Sequence, residues 1–273
     1  MTIRINAVLL SLVSILISLP VTATTITYSP FGLYGEGGAN NGQAFTIGSG
    51  GSVTEVDAFI NIAGEDLNGG FFGTSAQFAF DPLPTGFDYL FASSLSADAT
   101  DLQLSYTFTN NTGALITGLS FFSYFDAEID EPTNTFFNEY GVTSGVAGIT
   151  SLDPSSWEID DPGFGDIYDN LLLGSLDNAN GVPSQLPGDV AFALDFDLGS
   201  LGLFETTTVD ILISGDGDSI GSVALSQFDN HTSTTTITYS GQIRAPVTVS
   251  EPSTLLLFMA ALLGFAAIRA RFA

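Results

Sequence analysis

Large apolar residues alternate with polar ones in two stretches of this 273-residue chain. In the first, Leu102, Leu104, Tyr106 and Phe108 are separated by Gln103, Ser105 and Thr107. A period of two places the four large side chains on one face of an extended strand. Asn110-Asn111-Thr112-Gly113 then supplies turn residues, and Leu119-Ser120-Phe121-Phe122 begins another strand, which predicts a hairpin. In the second stretch, Phe192, Leu194, Phe196 and Leu198 alternate with Ala193, Asp195 and Asp197. Gly199 to Glu205 forms a connection, and Val209, Ile211 and Ile213 alternate back. That predicts a second hairpin. Stretches with helical periodicity are missing between the termini, so the expected fold is all-β, with Phe108, Phe121, Phe192, Phe196 and Ile211 in its core.

The expected architecture is one antiparallel β-sandwich over residues 24–242, immunoglobulin-like or jelly-roll-like in its pairing pattern. The word Thr24-Thr25-Ile26-Thr27-Tyr28-Ser29 returns as Thr235-Thr236-Ile237-Thr238-Tyr239-Ser240, which predicts neighbouring first and last strands. Between the two alternating stretches, Asp126 to Asp177 holds 12 carboxylates, no basic residue and the only tryptophan, Trp157. It is too long for a plain connection and is expected to carry structure or function. Residues 243–250 read as a linker, with Pro246 opposing helix.

Both termini follow a different pattern. Arg4 precedes an apolar run from Ala7 to Leu19, and small residues follow at Val21 and Ala23. This is the layout of a secretory signal peptide, residues 1–23, with cleavage between Ala23 and Thr24. At the other end, Pro252 to Ile268 is 17 residues without a charge, followed by Arg269 and Arg271. At about 1.5 Å per residue the run spans roughly 25 Å, the short end of a membrane-crossing helix. The two arginines form a basic stop that holds the C-terminus on the cytoplasmic side.

Ser250-Glu251-Pro252 stands directly before that run. The order of polar-proline motif, apolar span and basic stop over residues 251–273 resembles the PEP-CTERM sorting tail. Glu251 and Pro252 match the family's Pro-Glu-Pro, and Ser250 replaces its first proline. The resemblance is confined to the tail and the signal peptide. It implies recognition by exosortase, an integral-membrane transpeptidase of Gram-negative bacteria. It also implies a precursor inserted in the inner membrane, and delivery to the cell envelope, the surface or the exopolysaccharide matrix of a biofilm.

Charge narrows the partners. All 30 acidic residues lie between Thr24 and Glu251, where Arg244 is the one basic residue, so residues 24–251 carry 1 − 30 = −29. Such a surface repels nucleic acid and anionic lipid and attracts cations. With no cysteine and one histidine, His231, thiol catalysis and multi-histidine metal sites are excluded.

Oxygen-only ligation leaves calcium as the expected cation. Asp126, Glu128 and Asp130 stand at a spacing of two, so a strand places them on one face. Glu158, Asp160 and Asp161, with Asp166 and Asp169 following, form a second group that is expected to help the first hold an ion. Asp216-Gly217-Asp218 begins like a calcium loop, but Ile220 and Gln227 occupy the fifth and twelfth positions, where ligands are needed. It reads instead as a hairpin turn. Paired carboxylates near Trp157 also admit a polysaccharide-active hydrolase. No nucleophile-elbow motif surrounds a serine, and acidic pairs are abundant enough to be nominated anywhere. The leading expectation is therefore a structural or adhesive surface protein without enzymatic activity. A calcium-assisted carbohydrate-binding module stands second.

Overall fold

A computed structural model describes residues 26–28, 45–47, 51–62, 84–129, 135–230 and 235–244. Signal-cleavage residues Ala23 and Thr24, Asp130, His231, sorting residues Ser250, Glu251 and Pro252, and Arg269 and Arg271 all lie outside these. The described strands are β1 (Ile26–Tyr28), β2 (Phe45–Ile47), β3 (Gly51–Asn61), β4 (Phe87–Leu95), β5 (Asp101–Asn110), β6 (Ile116–Glu128), β7 (Glu139–Gly145), β8 (Ser156–Asp160), β9 (Ala191–Leu201), β10 (Thr206–Ser214), β11 (Val223–Asp229) and β12 (Thr236–Arg244). A 3₁₀ turn (Phe136–Asn138) precedes β7, and one short helix, α1 (Ile167–Leu173), follows β8.

The strands form two six-stranded sheets. The first has the order β1-β2-β3-β6-β9-β8 and the second β4-β5-β10-β12-β11-β7. Every strand pair is antiparallel. The sheets enclose one aromatic-rich core in which Phe108, Phe121, Phe192, Phe196 and Ile211 are fully buried. Phe121 is central: its ring lies 4.9 Å from Tyr106, 5.7 Å from Phe108 and 6.1 Å from Phe196. Tyr239 joins the sheets by donating its hydroxyl proton to Ser123.

The alternating segments are strands, as expected, but their pairing is not. β5 lies in the second sheet and β6 in the first. β9 lies in the first and β10 in the second. Each expected hairpin is a corner that steps across the core. The physical reason is that alternation fixes which face is buried, and both partners of a corner bury a face just as hairpin partners do. Asn110 builds the first corner. Its side-chain amide donates to Ala114 O and to Leu201 O, both at 2.7 Å, and its Oδ1 accepts from the Thr112 amide and hydroxyl.

Three further expectations are corrected. The repeated Thr-Ile-Thr-Tyr words fall in different sheets, because β1 is an edge strand paired with β2 and β12 lies between β10 and β11. The Asp216–Gly221 segment is no hairpin turn, because β12 separates β10 from β11. It crosses β12 instead, where the Ile220 amide donates to Ser240 Oγ at 3.0 Å. The sandwich also extends past residue 242. Ile243 is buried, and Arg244 grips Asp210 with N···O distances of 2.6–3.0 Å, so both belong to β12 rather than to a linker.

Asp126 to Asp177 is built from the end of β6, β7, β8 and α1. Ile167 and Leu171 of α1 are buried against Phe59, Phe122, Tyr124, Ala191 and Ala193, a second apolar cluster on the outer face of the first sheet. This explains why β6 is buried almost continuously from Phe121 to Ala127 while β5 alternates. Gly174 ends α1 in the left-handed region (φ 68°), its amide donating to Leu171 O at 3.0 Å.

Candidate acidic site

The register places several carboxylates at one end of the sandwich. Asp126 on β6 and Asp160 on β8 both face Ala191, the first residue of β9, from either side. Directly opposed residues point to the same face of a sheet. Asp126, Ala191 and Asp160 therefore form one row across the outer face, with Tyr124, Ala193 and Glu158 forming the next.

Two groups result. In the first, Asp126, Glu128 and Asp189 each bring a carboxylate oxygen within 4.8 Å of the others. Asp189, just before β9, was not singled out from sequence, where it sits in an unpatterned Pro-Gly-Asp stretch. Asp130 lies outside the described residues. In the second, Glu158, Asp160 and Asp166 meet on the same criterion. The segments expected to share one ion thus contribute to two separate groups. Asp161 joins neither: its Oδ1 accepts from the Gly163 and Phe164 amides at 2.8 and 2.9 Å and closes the loop before α1. Asp169 is exposed on α1.

Burial sets the electrostatics of both groups. Glu158 is fully buried, and burial, partly offset by Asn170, pushes its carboxyl up to about 7. Asn170 Nδ2 of α1 donates to both Glu158 oxygens at 3.1 Å. Asp160 is likewise raised by burial, although the Asp161 and Asp166 amides donate to it at 2.9 and 2.7 Å. Glycine is required around it, because a Cβ on Gly165 or Gly181 would come within 1.9 or 2.1 Å of the Asp160 carboxylate.

Behind the first group stands Glu139 of β7, which sequence reading also missed. It is completely buried. Its Oε1 accepts from the Ile129 amide at 2.8 Å, and its Oε2 accepts from Gln227, whose Nε2 also donates to Ala127 O at 2.5 Å. Gln227, the residue that fails the calcium-loop pattern, is thus a buried brace between the sheets. Burial above all, with the charges of Glu128 and Asp189 adding, pushes Glu139 up to about 10. A third group, Asp101, Asp216 and Asp218, gathers where β5 begins and β10 ends. Burial raises Asp101 there, with Asp216 and Asp218 adding to it.

Trp157 is no displayed stacking platform. It is half-buried and packs against the main core, because Trp157 opposes Leu194 on the inward face of β8. At the opposite end of the sandwich a cleft of about 280 Å³ is lined by Leu152, Leu198, Leu201 and Ile243 together with Asp197 and Glu205.

Residues 248–271 match the model of the PEP-CTERM protein-sorting motif. The match covers the tail that follows β12 and includes Ser250, Glu251, Pro252, Arg269 and Arg271. It carries the implication of an exported chain recognised by exosortase. The searches of curated proteins and of solved structures returned no match.

Proposed function

We propose that this chain is an exosortase-sorted surface or matrix protein whose acidic β-sandwich has a structural or adhesive role rather than a catalytic one. The observation that carries this reading is the sorting motif at residues 248–271, which begins four residues after the last residue of β12. The inward packing of Trp157 and the locking of Glu158 by Asn170 favour it over a sugar-processing cleft beside that tryptophan. In cells with exosortase the mature protein is expected to lack residues 255–273, and replacing Glu251 and Pro252 is expected to leave a membrane-bound precursor. Mass spectrometry of surface-released protein that still carries the intact tail would overturn the reading.

Calcium is part of the proposal. Three carboxylate oxygens lie within 4.8 Å of one another with Glu139 behind them, and like charges this close favour a bound cation. Asp126, Glu128 and Asp189 offer the oxygen ligands calcium prefers. Millimolar calcium is expected to raise the melting temperature of the full chain by several degrees, chelator to reverse it, and Asp126→Asn, Glu128→Gln and Asp189→Asn together to abolish it. A wild-type melt indifferent to calcium would remove calcium from the proposal.

A further inference from the structure

The end of the sandwich opposite the acidic groups exposes a set of apolar loop residues, with Asp197 and Glu205 in the cleft beside them. Register puts the start of β6 beside the end of β9, and the start of β10 beside the ends of β5 and β12 (Ile116↔Leu201, Thr206↔Thr109, Thr208↔Arg244). The loops at this end expose Leu115, Val146, Ile149, Leu203 and Phe204. Two of the loops are tied together, since the Phe204 amide donates to Asn110 O at 2.7 Å. Phe204 is 64 % exposed and has φ of 61°, a left-handed conformation that is costly for an aromatic residue. The fold thus holds a large apolar side chain out in solvent at a backbone cost, which marks a surface with a partner.

The chain leaves the domain at this same end. The Ile243 amide donates to Leu152 O in the loop that carries Val146 and Ile149, and Arg244 closes β12. Ten residues, 245–254, then separate Arg244 from the apolar stretch that starts at Leu255. Fully extended, they reach about 35 Å at most, so the apolar tip is never far from the membrane that holds the tail.

We propose that in the precursor this apolar tip, with Leu203 and Phe204 at its centre, sits in the interface of the bilayer that anchors the tail. The domain then stands upright, and the carboxylates of the far end point away from the lipid. Partial insertion of a few large apolar side chains is how a soluble face rests on a membrane. The orientation also turns the three acidic groups away from anionic headgroups and leaves Asp197 and Glu205 as the carboxylates beside the tip. The inference rests on the tail's being membrane-inserted before processing.

The test uses the full chain in vesicles of phosphatidylethanolamine with a minor share of phosphatidylglycerol. The chain has no cysteine, so single Leu203→Cys, Leu173→Cys and Asp218→Cys variants carry an environment-sensitive fluorophore at one site each. Leu173 is an exposed apolar residue of α1, away from the tip, and Asp218 lies toward the acidic end. Flotation with the vesicles reports tail insertion independently. The expected result is flotation of all three, with a blue shift and quenching by headgroup-level nitroxide lipid at residue 203 only. Adding Phe204→Asn, which suits the left-handed backbone, is expected to cut that quenching several-fold. Flotation with an aqueous probe at 203 overturns the inference and leaves the tail reading intact. Equal responses at 203 and 173 show unspecific adsorption and overturn it as well. Failure to float overturns both.

Discussion

On the outer face of the second sheet, Thr107 meets Thr208 and Thr109 meets Thr206, each hydroxyl pair at 3.0 Å, and Ser226 meets Thr238 at 3.1 Å. On the outer face of the first sheet, Tyr124 packs against the tilted ring of Tyr168 at 4.9 Å, and Glu158 is held by Asn170 beneath α1. The two sheets share one core, yet one meets water through small hydroxyls while the other is roofed and keeps carboxylates under the roof. A hydroxyl pair at a wet surface costs little to make or lose. Burial under a helix pushes the Glu158 carboxyl toward its protonated form, while the buried carboxylate of the open face, Asp210, is paired with Arg244, so the roofed face is expected to couple stability to pH more strongly.

The largest expected effect tests what the faces share. Phe196→Ala opens the space beside Phe121 and is expected to cost about 3–5 kcal/mol in urea unfolding, whereas exposed Leu90→Ala on β4 stays within about 0.5 kcal/mol. Comparable costs at the two positions would mean that the sheets do not share a packed core. Next comes Gly241→Ala on β12. A Cβ there would lie 2.7 Å from both Ile211 Cδ1 and Phe196 Cζ, so overpacking of about 1–3 kcal/mol is expected by the same measurement.

The pH response probes two buried carboxyls, Glu158 beneath α1 on the roofed face and Glu139 of β7 between the sheets. Glu158 and Glu139 have folded values raised from 4.5 to about 7 and about 10. Between those limits the native state holds protons that the unfolded chain releases. Their contribution is full below about pH 4.5 and is lost as pH rises, first through about 7 and then through about 10. Raised Asp195, Asp160 and Asp101 act in the same direction, and lowered Asp98 opposes them. Without calcium, the melting temperature is expected to fall from about pH 5 to about pH 9. Glu158→Gln should flatten the slope below neutrality and Glu139→Gln the alkaline part. A melt that rises with pH would show that Glu158 and Glu139 do not hold extra protons in the folded state. The smallest effect belongs to the open face: Thr208→Ala is expected to cost only about 0.2–1 kcal/mol, with no change in pH slope.

The strands with one wet face were legible in the chain. Leu102 to Phe108 alternates because Gln103, Ser105 and Thr107 meet water, and period two then names the buried members without error. Phe121, Phe192, Phe196 and Ile211 followed by the same reasoning. The termini were legible for another reason: a membrane and a sorting enzyme read linear sequence, so Glu251, Pro252 and the apolar run carry their meaning without a fold. The acidic groups were half legible. Asp126 and Glu128 share a face by spacing alone, but Asp189 and Glu139 join them only because β9 pairs with β6 and β7 closes the end of the second sheet. Pairing partners also decided that the connections at Asn110 and Gly202 are corners and not hairpins. Local sequence determines which side of a strand avoids water. The sheet a strand joins is settled by how its buried face fits the rest of the core, and that is a property of the whole chain at once.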